Sequence, residues 1–296
     1  SERYSLGLVT TSGSLGLLLA PSLPLILYGI IAQQMGVGPS FTIQQLFVAG
    51  LMPAALMLIM LSVWSWWIHR GKNIAMQKFT TQELKAALWA ARWEIPLPAL
   101  VIGGIYGGFF AVSETAAVIL LYVFVVEVFI YKEISLAQLP IVIRQAVAMV
   151  GGIILILGVS LALTNVLIDA EIPSKAFDLV QSNIESKWAF LIFLTLFLLV
   201  LGAILDIFSA IVIMVPILLP IAVAYGIHPV HLGIIFLANM QIGYFTPPVG
   251  MNLFIASYRF GKPITELYRA ALPFMGVLIV ALLLITYIPW LSLGLI

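Results

Sequence analysis

The sequence predicts an all-α polytopic membrane protein in which two long helices are broken near their middles. Three observations carry that prediction. Hydrophobic residues make up 63% of the 296 positions and charged residues 8%, against roughly 45–50% and 25% in soluble domains. Apolar runs of membrane-spanning length, roughly 20 residues each, follow one another along the whole chain. Two short stretches near opposite ends then look like copies of one device. Ser12-Gly13-Ser14-Leu15-Gly16 leads into Ala20-Pro21-Ser22, and Asn239-Met240-Gln241-Ile242-Gly243 leads into Thr246-Pro247-Pro248-Val249-Gly250. Each sets small and helix-breaking residues inside a long apolar segment.

The elements follow in order. A broken span covers about 4–32 and an unbroken one about 44–69, followed by a charged amphipathic stretch over about 74–93. Two short spans lie at about 95–111 and 114–131, and a longer one at about 139–165. A charged connection runs to Lys187. The run from Trp188 to Tyr225 has no tidy gap, but Gly202, Asp206 and Ser209 interrupt it. A second broken span covers about 229–257 and the last span about 270–293. No low-complexity or Pro-rich linker divides the chain, so it reads as one continuous membrane domain.

Charge tests the order, because cytoplasmic loops collect Lys and Arg. With the first span running outward, Arg3, the 70–93 connection (Arg70, Lys72, Lys78, Lys85, Arg92), Lys132, Arg144, Arg259, Lys262 and Arg269 share the inner side. That is eleven of the thirteen basic residues; Lys175 and Lys187 lie opposite, among Asp169, Glu171, Asp178 and Glu185. The count requires 188–225 to enter and leave on the outer side. Arms of only about 15–19 residues fall short of a span of roughly 20, which favours a re-entrant hairpin with its tip near Gly202–Ser209.

Irregular backbone survives in hydrocarbon only where protein or a water-filled cavity satisfies it. A pair of Gly/Pro-interrupted segments at matching places is the sequence mark of a transporter's binding site. Asp206 is the only acidic residue between Lys187 and Glu266, and an intramembrane acid is a functional-site hypothesis by default. It reads either as the N-cap of the returning arm or as a participant in ion or proton binding, with Gly202 and Ser209 open to the same two readings. At the second break, Asn239, Thr246 and Asn252 bring side-chain oxygens. Pro247 and Pro248 lack N–H groups and free carbonyls of the preceding turn. Oxygen-rich sites of this kind suit hard cations, and half-helix N-termini favour an anionic group. The first break offers the same ligand types in Ser12, Ser14, Gly16, Pro21 and Ser22. The bland alternative is a Pro kink serving packing alone.

Other residues read as structural. Glu114 begins a span and complements its dipole, and Gly103, Gly104, Gly107 and Gly108 allow close packing. His69, His228 and His231 show no metal-ligand spacing, while Trp64, Trp66, Trp67, Trp89 and Trp93 suit an interfacial belt. Cysteine is absent, which excludes disulfides and thiolate chemistry. A net charge of +1 offers no basic face for nucleic acid. No catalytic constellation stands out, so no enzyme is expected.

Four stretches, SGSLGLLLAPSLPLILYG (12–29), GGIYGGFFAVSETAAV (103–118), LGAILDIFSAIVIMVPILLPI (201–221) and NMQIGYFTPPVGMNLF (239–254), resemble in order and spacing the large membrane subunit of tripartite ATP-independent periplasmic (TRAP) transporters. The resemblance runs along essentially the whole chain and covers the carboxy-terminal two thirds or so of such a subunit. It implies a sodium-driven importer of organic anions, carboxylates or sialic acid, in the bacterial inner membrane. A periplasmic binding protein would deliver the substrate and a small membrane subunit would brace the scaffold. It further implies an elevator of two inverted repeats, with 1–43 ending the first and 44–296 holding scaffold helices and the second. No cofactor is implied, sodium acting as the coupling ion. Carried over residue by residue, sodium ligands fall on Ser12, Gly16 and Pro21, and on Asp206, Asn239, Gly243, Thr246 and Pro247. Substrate contacts fall on Ser14, Ser22, Ser209, Pro248 and Asn252.

The chain departs from the family in two places. Ala20 stands where the first of two prolines is usual, and Ala111-Val112-Ser113-Glu114-Thr115 replaces Thr-Pro-Thr-Glu-Ala. The start, Ser1-Glu2-Arg3-Tyr4, is neither Met-led nor a signal peptide, and the family's first hairpin does not occur. The amino-terminal part of a longer protein is therefore expected to be missing, and this polypeptide alone is expected not to transport. Outside that family, the competing reading is a passive channel or structural membrane module that tolerates Asp206→Ala and Thr246→Val.

Overall fold

The computed structural model describes residues 2–70, 80–107, 109–171, 175, 178, 180, 182, 184, 186–248 and 250–296. Ser1, Lys72, Lys78, Gly108, Glu185 and Val249 lie outside the described residues. All regular structure among the described residues is helical. In chain order the helices are α1 (Glu2–Ser12), α2 (Leu23–Met35), α3 (Ile43–His69), α4 (Thr81–Ala90), α5 (Pro96–Val101), α6 (Val112–Val125) and α7 (Leu139–Asp169). They continue with α8 (Lys187–Ile204), α9 (Ile207–Ala224), α10 (Pro229–Gly243), α11 (Met251–Phe260), α12 (Ile264–Tyr287) and α13 (Trp290–Leu293). Among the described residues, six segments are long and apolar enough to cross a membrane: Glu2–Met35, Ile43–His69, Ser113–Ile130, Lys187–Ile204, Ile207–Ala224 and Ile264–Tyr287.

Local chemistry sets most helix starts. Thr42 and Gln45 form a reciprocal capping box ahead of α3, Gln45 N–H donating to Thr42 Oγ1 (3.1 Å) and Thr42 N–H to Gln45 Oε1 (2.9 Å). Ser22, Thr80, Ser186 and His228 each accept a backbone N–H at the heads of α2, α4, α8 and α10. Gly36 and Gly261 end α2 and α11 in the left-handed region. The last span begins at Ile264 rather than near 270, because Pro263 starts the helix while the apolar run begins a turn and a half later. Each hairpin arm is a full 18 residues, which reaches membrane-crossing length. The short-arm argument for a re-entrant hairpin therefore does not stand, although the tip falls where the sequence placed it.

The chain forms two compact units, Ser1–Ile68 with Leu157–Ile296, and His69–Ile156. In the first, α10 is the core: all of its residues, Pro229 to Gly243, are buried, as expected of a helix that is apolar all round. The arm α8 packs along it, α9 lies against α2, and α1 runs along α12. Close approaches rest on missing side chains. Gly7 of α1 sits on the Ala270 backbone of α12, and Gly233 of α10 faces the Tyr28 ring. The Tyr28 hydroxyl donates to Pro229 O at 2.6 Å.

Gly50 of α3 lies under the first break, where an added Cβ would overlap the Leu18 carbonyl. Gly→Ala in an open helix normally stabilises by about 0.5–1 kcal/mol. Gly50→Ala is expected to reverse that sign and cost about 1–3 kcal/mol through overpacking. Thermal unfolding in detergent against Gly276→Ala, whose Cβ would meet nothing within 4 Å, reads the difference.

In the second unit, Gly104 lets the Ile102–Tyr106 turn approach α6; a Cβ there would lie 3.0 Å from Thr115. Glu114 Oε2 accepts from Ala111 N–H at 2.9 Å. This is half a capping box, because Ala111 has no side-chain acceptor to return it. Gly104 and Glu114 therefore serve structural roles, close packing and completion of a helix start. Helix α4 buries none of its residues.

Candidate functional site

The hairpin reverses through Leu205 and Asp206, both extended. Asp206 Oδ1 accepts from Phe208 N–H and Ser209 N–H, each at 3.0 Å, and its Oδ2 accepts from the Ser209 hydroxyl. The carboxyl group thus takes up orphan donors of the first turn of α9, where the helix dipole favours negative charge. Ile207 N–H, the remaining donor of this turn, is met from across the fold by the Tyr244 hydroxyl at 3.3 Å. Tyr244 belongs to the second break, immediately after α10. Tip and break enclose a cavity of about 240 Å³, lined by Gly202 to Asp206, Tyr244, Gly250 and Met251.

Two glycines make this contact possible. A Cβ on Gly243 would lie 2.6 Å from Gly202 Cα, and one on Gly202 would lie 3.2 Å from Gly243 Cα and from Met240 Sδ. Gly250, with φ +57°, turns the chain into α11, and a Cβ there would press on the Leu253 side chain and on Thr246 O.

Asn239 is fully buried in α10. Its Nδ2 donates to Ile235 O at 2.7 Å, and its Oδ1 has no partner among the described residues. Thr246 spends its proton on Ile242 O at 2.8 Å. Gly243 O accepts from Thr246 N–H (3.0 Å), while Pro248 O accepts from the Tyr268 hydroxyl (2.7 Å). Pro247 joins Pro248 through a cis bond, as Ala20 joins Pro21; these are the cis peptide bonds among the described residues.

At the first break, α1 gives way to a 3₁₀ turn, Leu15–Leu18, and the chain re-enters helix at Leu23. Ser14 is buried and donates to Thr11 O at 3.3 Å. Ser22, also buried, donates to Leu17 O at 2.6 Å while capping α2. Ser12 is half-buried and reaches Val9 O only at 3.5 Å, whereas Gly16 and Pro21 are exposed. The two breaks meet: Asn252 Nδ2 donates to Thr10 O at 3.4 Å, and Asn252 N–H donates to Tyr244 O at 2.9 Å. The structure thus brings Asp206, Ser209, Gly243 and Tyr244 together, and ties Tyr244 to the first break through Asn252.

Sequence reasoning missed Tyr244, and the available signal was a single phenol within the Gly243–Phe245 turn. It also missed Gln241, buried with Oε1 unpartnered among the described residues and Nε2 on Met57 Sδ at 3.3 Å. Among the described residues no cluster of His, Asp and Glu has metal-ligand geometry. Buried His231 lies between Ser292 Oγ (3.1 Å) and Thr286 O (3.3 Å), so its role is to join α10 to the end of the fold.

The family model of the tripartite ATP-independent periplasmic transporter, DctM component, matches residues 1–291. The chain is 35% identical over 99% of its length to the C4-dicarboxylate TRAP transporter large permease protein DctM of Pseudomonas aeruginosa, of which it covers 67%. It is 32% identical over 97% of its length to the isethionate TRAP transporter permease protein DctMQ of Oleidesulfovibrio alaskensis, covering 45% of that protein. It is 29% identical over 96% of its length to the sialic acid TRAP transporter permease protein SiaT of Haemophilus influenzae, again covering 45%.

Proposed function

Because the chain belongs to the DctM-component family of the TRAP transporters, we propose that it is permease machinery for sodium-driven import of an organic anion across the bacterial inner membrane. The relatives carry names for C4-dicarboxylate, isethionate and sialic acid, chemically diverse anions, so the shared feature is the acid group rather than the carbon skeleton. Delivery by a periplasmic binding protein and bracing by a small membrane subunit belong to the same proposal, as does an elevator motion of inverted repeats.

The observation that carries this reading is the cavity between the hairpin tip and the second break. A cation there needs oxygen ligands. Asp206 lines the cavity with a half-buried carboxylate. Asn239, outside that lining, keeps an acceptor oxygen buried without a partner among the described residues. Thr246 keeps its oxygen lone pairs after spending its proton, and Gly243 and Pro247 contribute carbonyls around the turn. Ser12, Gly16 and Pro21 form the corresponding set at the first break. If the broken span α10–α11 crosses the bilayer, the tip beside Tyr244 sits at mid-depth, which supports the re-entrant arrangement without appeal to arm length. The substrate's acid group is placed near the N-terminal turns of the half-helices. Ser14, Ser22, Ser209, Pro248 and Asn252 contact it by exchanging their present local bonds, and a sodium ion beside Asp206 offsets the repulsion between two anions.

The test is sodium-dependent thermal stabilisation of the purified chain, with potassium at equal ionic strength. Binding at ten times Kd stabilises the folded state by about 1.4 kcal/mol, a shift of about 2 °C or more in melting temperature. A sodium-specific rise is expected; identical curves in the two salts would remove the cation from the proposal.

A further inference from the structure

In the first unit, α3 and α12 wall a groove of about 630 Å³. Its existence follows from sequence. α3 presents a continuous stripe at helical spacing, Ile59, Val63 and Trp67, while α12 answers with Leu272 and then Pro273 and Gly276, which offer little side chain. Nothing lies within 4 Å of where a Gly276 Cβ would sit, so the space is open to a ligand. Ile59, Val63, Trp67 and Leu272 are all more than half exposed within the chain.

One end of the groove is marked chemically. Trp67 lies beside Trp64, ring centroids 5.5 Å apart and planes tilted by 41°, and tryptophans of this kind sit at headgroup depth. Arg269 precedes Leu272 and Pro273 by three and four positions, so it extends the groove face of α12 by one turn. It is exposed, and among the described residues its guanidinium has no ion-pair partner. The Arg3 guanidinium joins it, donating to Arg269 O at 3.0 Å. Lys262 nearby is already engaged by Glu2 at 2.8 Å, which holds the Lys262 ammonium above its ordinary pKa through that hydrogen bond and the charge attraction. The uneven distribution of basic residues puts the Trp67 end of α3 and the Arg269 end of α12 on the same, cytoplasmic side.

We propose that this groove is a binding site for an anionic phospholipid, one acyl chain lying between α3 and α12 and the phosphate held by Arg269 and Arg3. Apolar walls alone accept any lipid tail or a partner helix. Two guanidinium groups at the headgroup end select the negatively charged lipid, as basic pockets between transmembrane helices on the cytoplasmic side do.

Native mass spectrometry of the purified chain, titrated with dioleoylphosphatidylglycerol or dioleoylphosphatidylcholine, tests this. The wild-type chain is expected to retain phosphatidylglycerol well above phosphatidylcholine. Arg269→Gln, an exposed change that keeps the backbone carbonyl used by Arg3, is expected to lower phosphatidylglycerol affinity about fivefold and leave phosphatidylcholine unchanged. Gly276→Leu, which fills the open space, is expected to lower retention of both. Equal retention of the two lipids by the wild-type chain, or no effect of Arg269→Gln, would overturn the assignment. So would a Gly276→Leu chain that keeps its lipid but loses a membrane subunit that otherwise co-purifies, since the groove would then seat a helix.

Discussion

Replacing Asp206 by Asn is expected to leave stability unchanged and abolish the sodium response, whereas Asp206→Ala abolishes the response and also lowers stability. The side chain has two separable jobs. As the N-cap of α9 it accepts from Phe208 N–H and Ser209 N–H at 3.0 Å each. Asn caps about as well as Asp, while Ala at such a position costs about 1 kcal/mol, within a range of roughly 0.5–2. Asp206→Asn therefore keeps the hairpin tip and removes only the charge. Melting temperatures of the three chains in potassium read the cap; the difference between sodium and potassium reads the cation. An Asp206→Asn chain with the full sodium-dependent rise would make the carboxylate a structural cap and nothing more. It would also favour the packing-kink reading of both breaks.

Gly243→Ala is expected to have the largest effect of any single methyl addition at the site. Its Cβ would lie 2.6 Å from Gly202 Cα, against backbone that cannot rotate away, so the hairpin arm must move off α10. Overpacking of this kind costs about 1–3 kcal/mol. It also displaces the tip from Tyr244 and opens the cavity that holds Asp206. Gly202→Ala meets its nearest atoms at 3.2 Å, one of them the flexible Met240 sulfur, so its cost is expected to stay below about 1 kcal/mol by the same reasoning. The sodium concentration for half-maximal stabilisation should rise more for Gly243→Ala than for Gly202→Ala. Equal behaviour of both variants and the wild-type chain would show that the close approach of arm and break has no part in binding.

Much of this was legible beforehand. The hairpin tip was marked by Gly202, Asp206 and Ser209 because a charge and small residues inside an apolar run have few other uses there. The two breaks were marked by Pro21 and by Pro247 with Pro248, since a residue without an N–H cannot continue a helical ladder. Helix ends were less legible. The start of α12 at Ile264 and the 18-residue arms depend on capping and packing, whereas hydropathy marks only the apolar portion of a helix.

By itself the sequence determined the class of the protein, the order of its helices and the positions of its interruptions. Those properties follow from local chemistry: the hydrophobicity of a segment, the missing N–H of proline and the missing Cβ of glycine. The tertiary structure alone decided which polar atoms remain for a ligand. Ser14, Ser22 and Thr246 spend their protons on nearby carbonyls, while Asn239 keeps an acceptor buried and unpartnered among the described residues. It also decided that Tyr244 meets Ile207, 37 positions away, and that Asn252 meets Thr10, 242 positions away. Such pairings depend on how α8, α10 and the two breaks pack together. Hydrophobic burial drives that packing without direction, so only steric fit at sites such as Gly202 and Gly243 fixes which groups finally face each other.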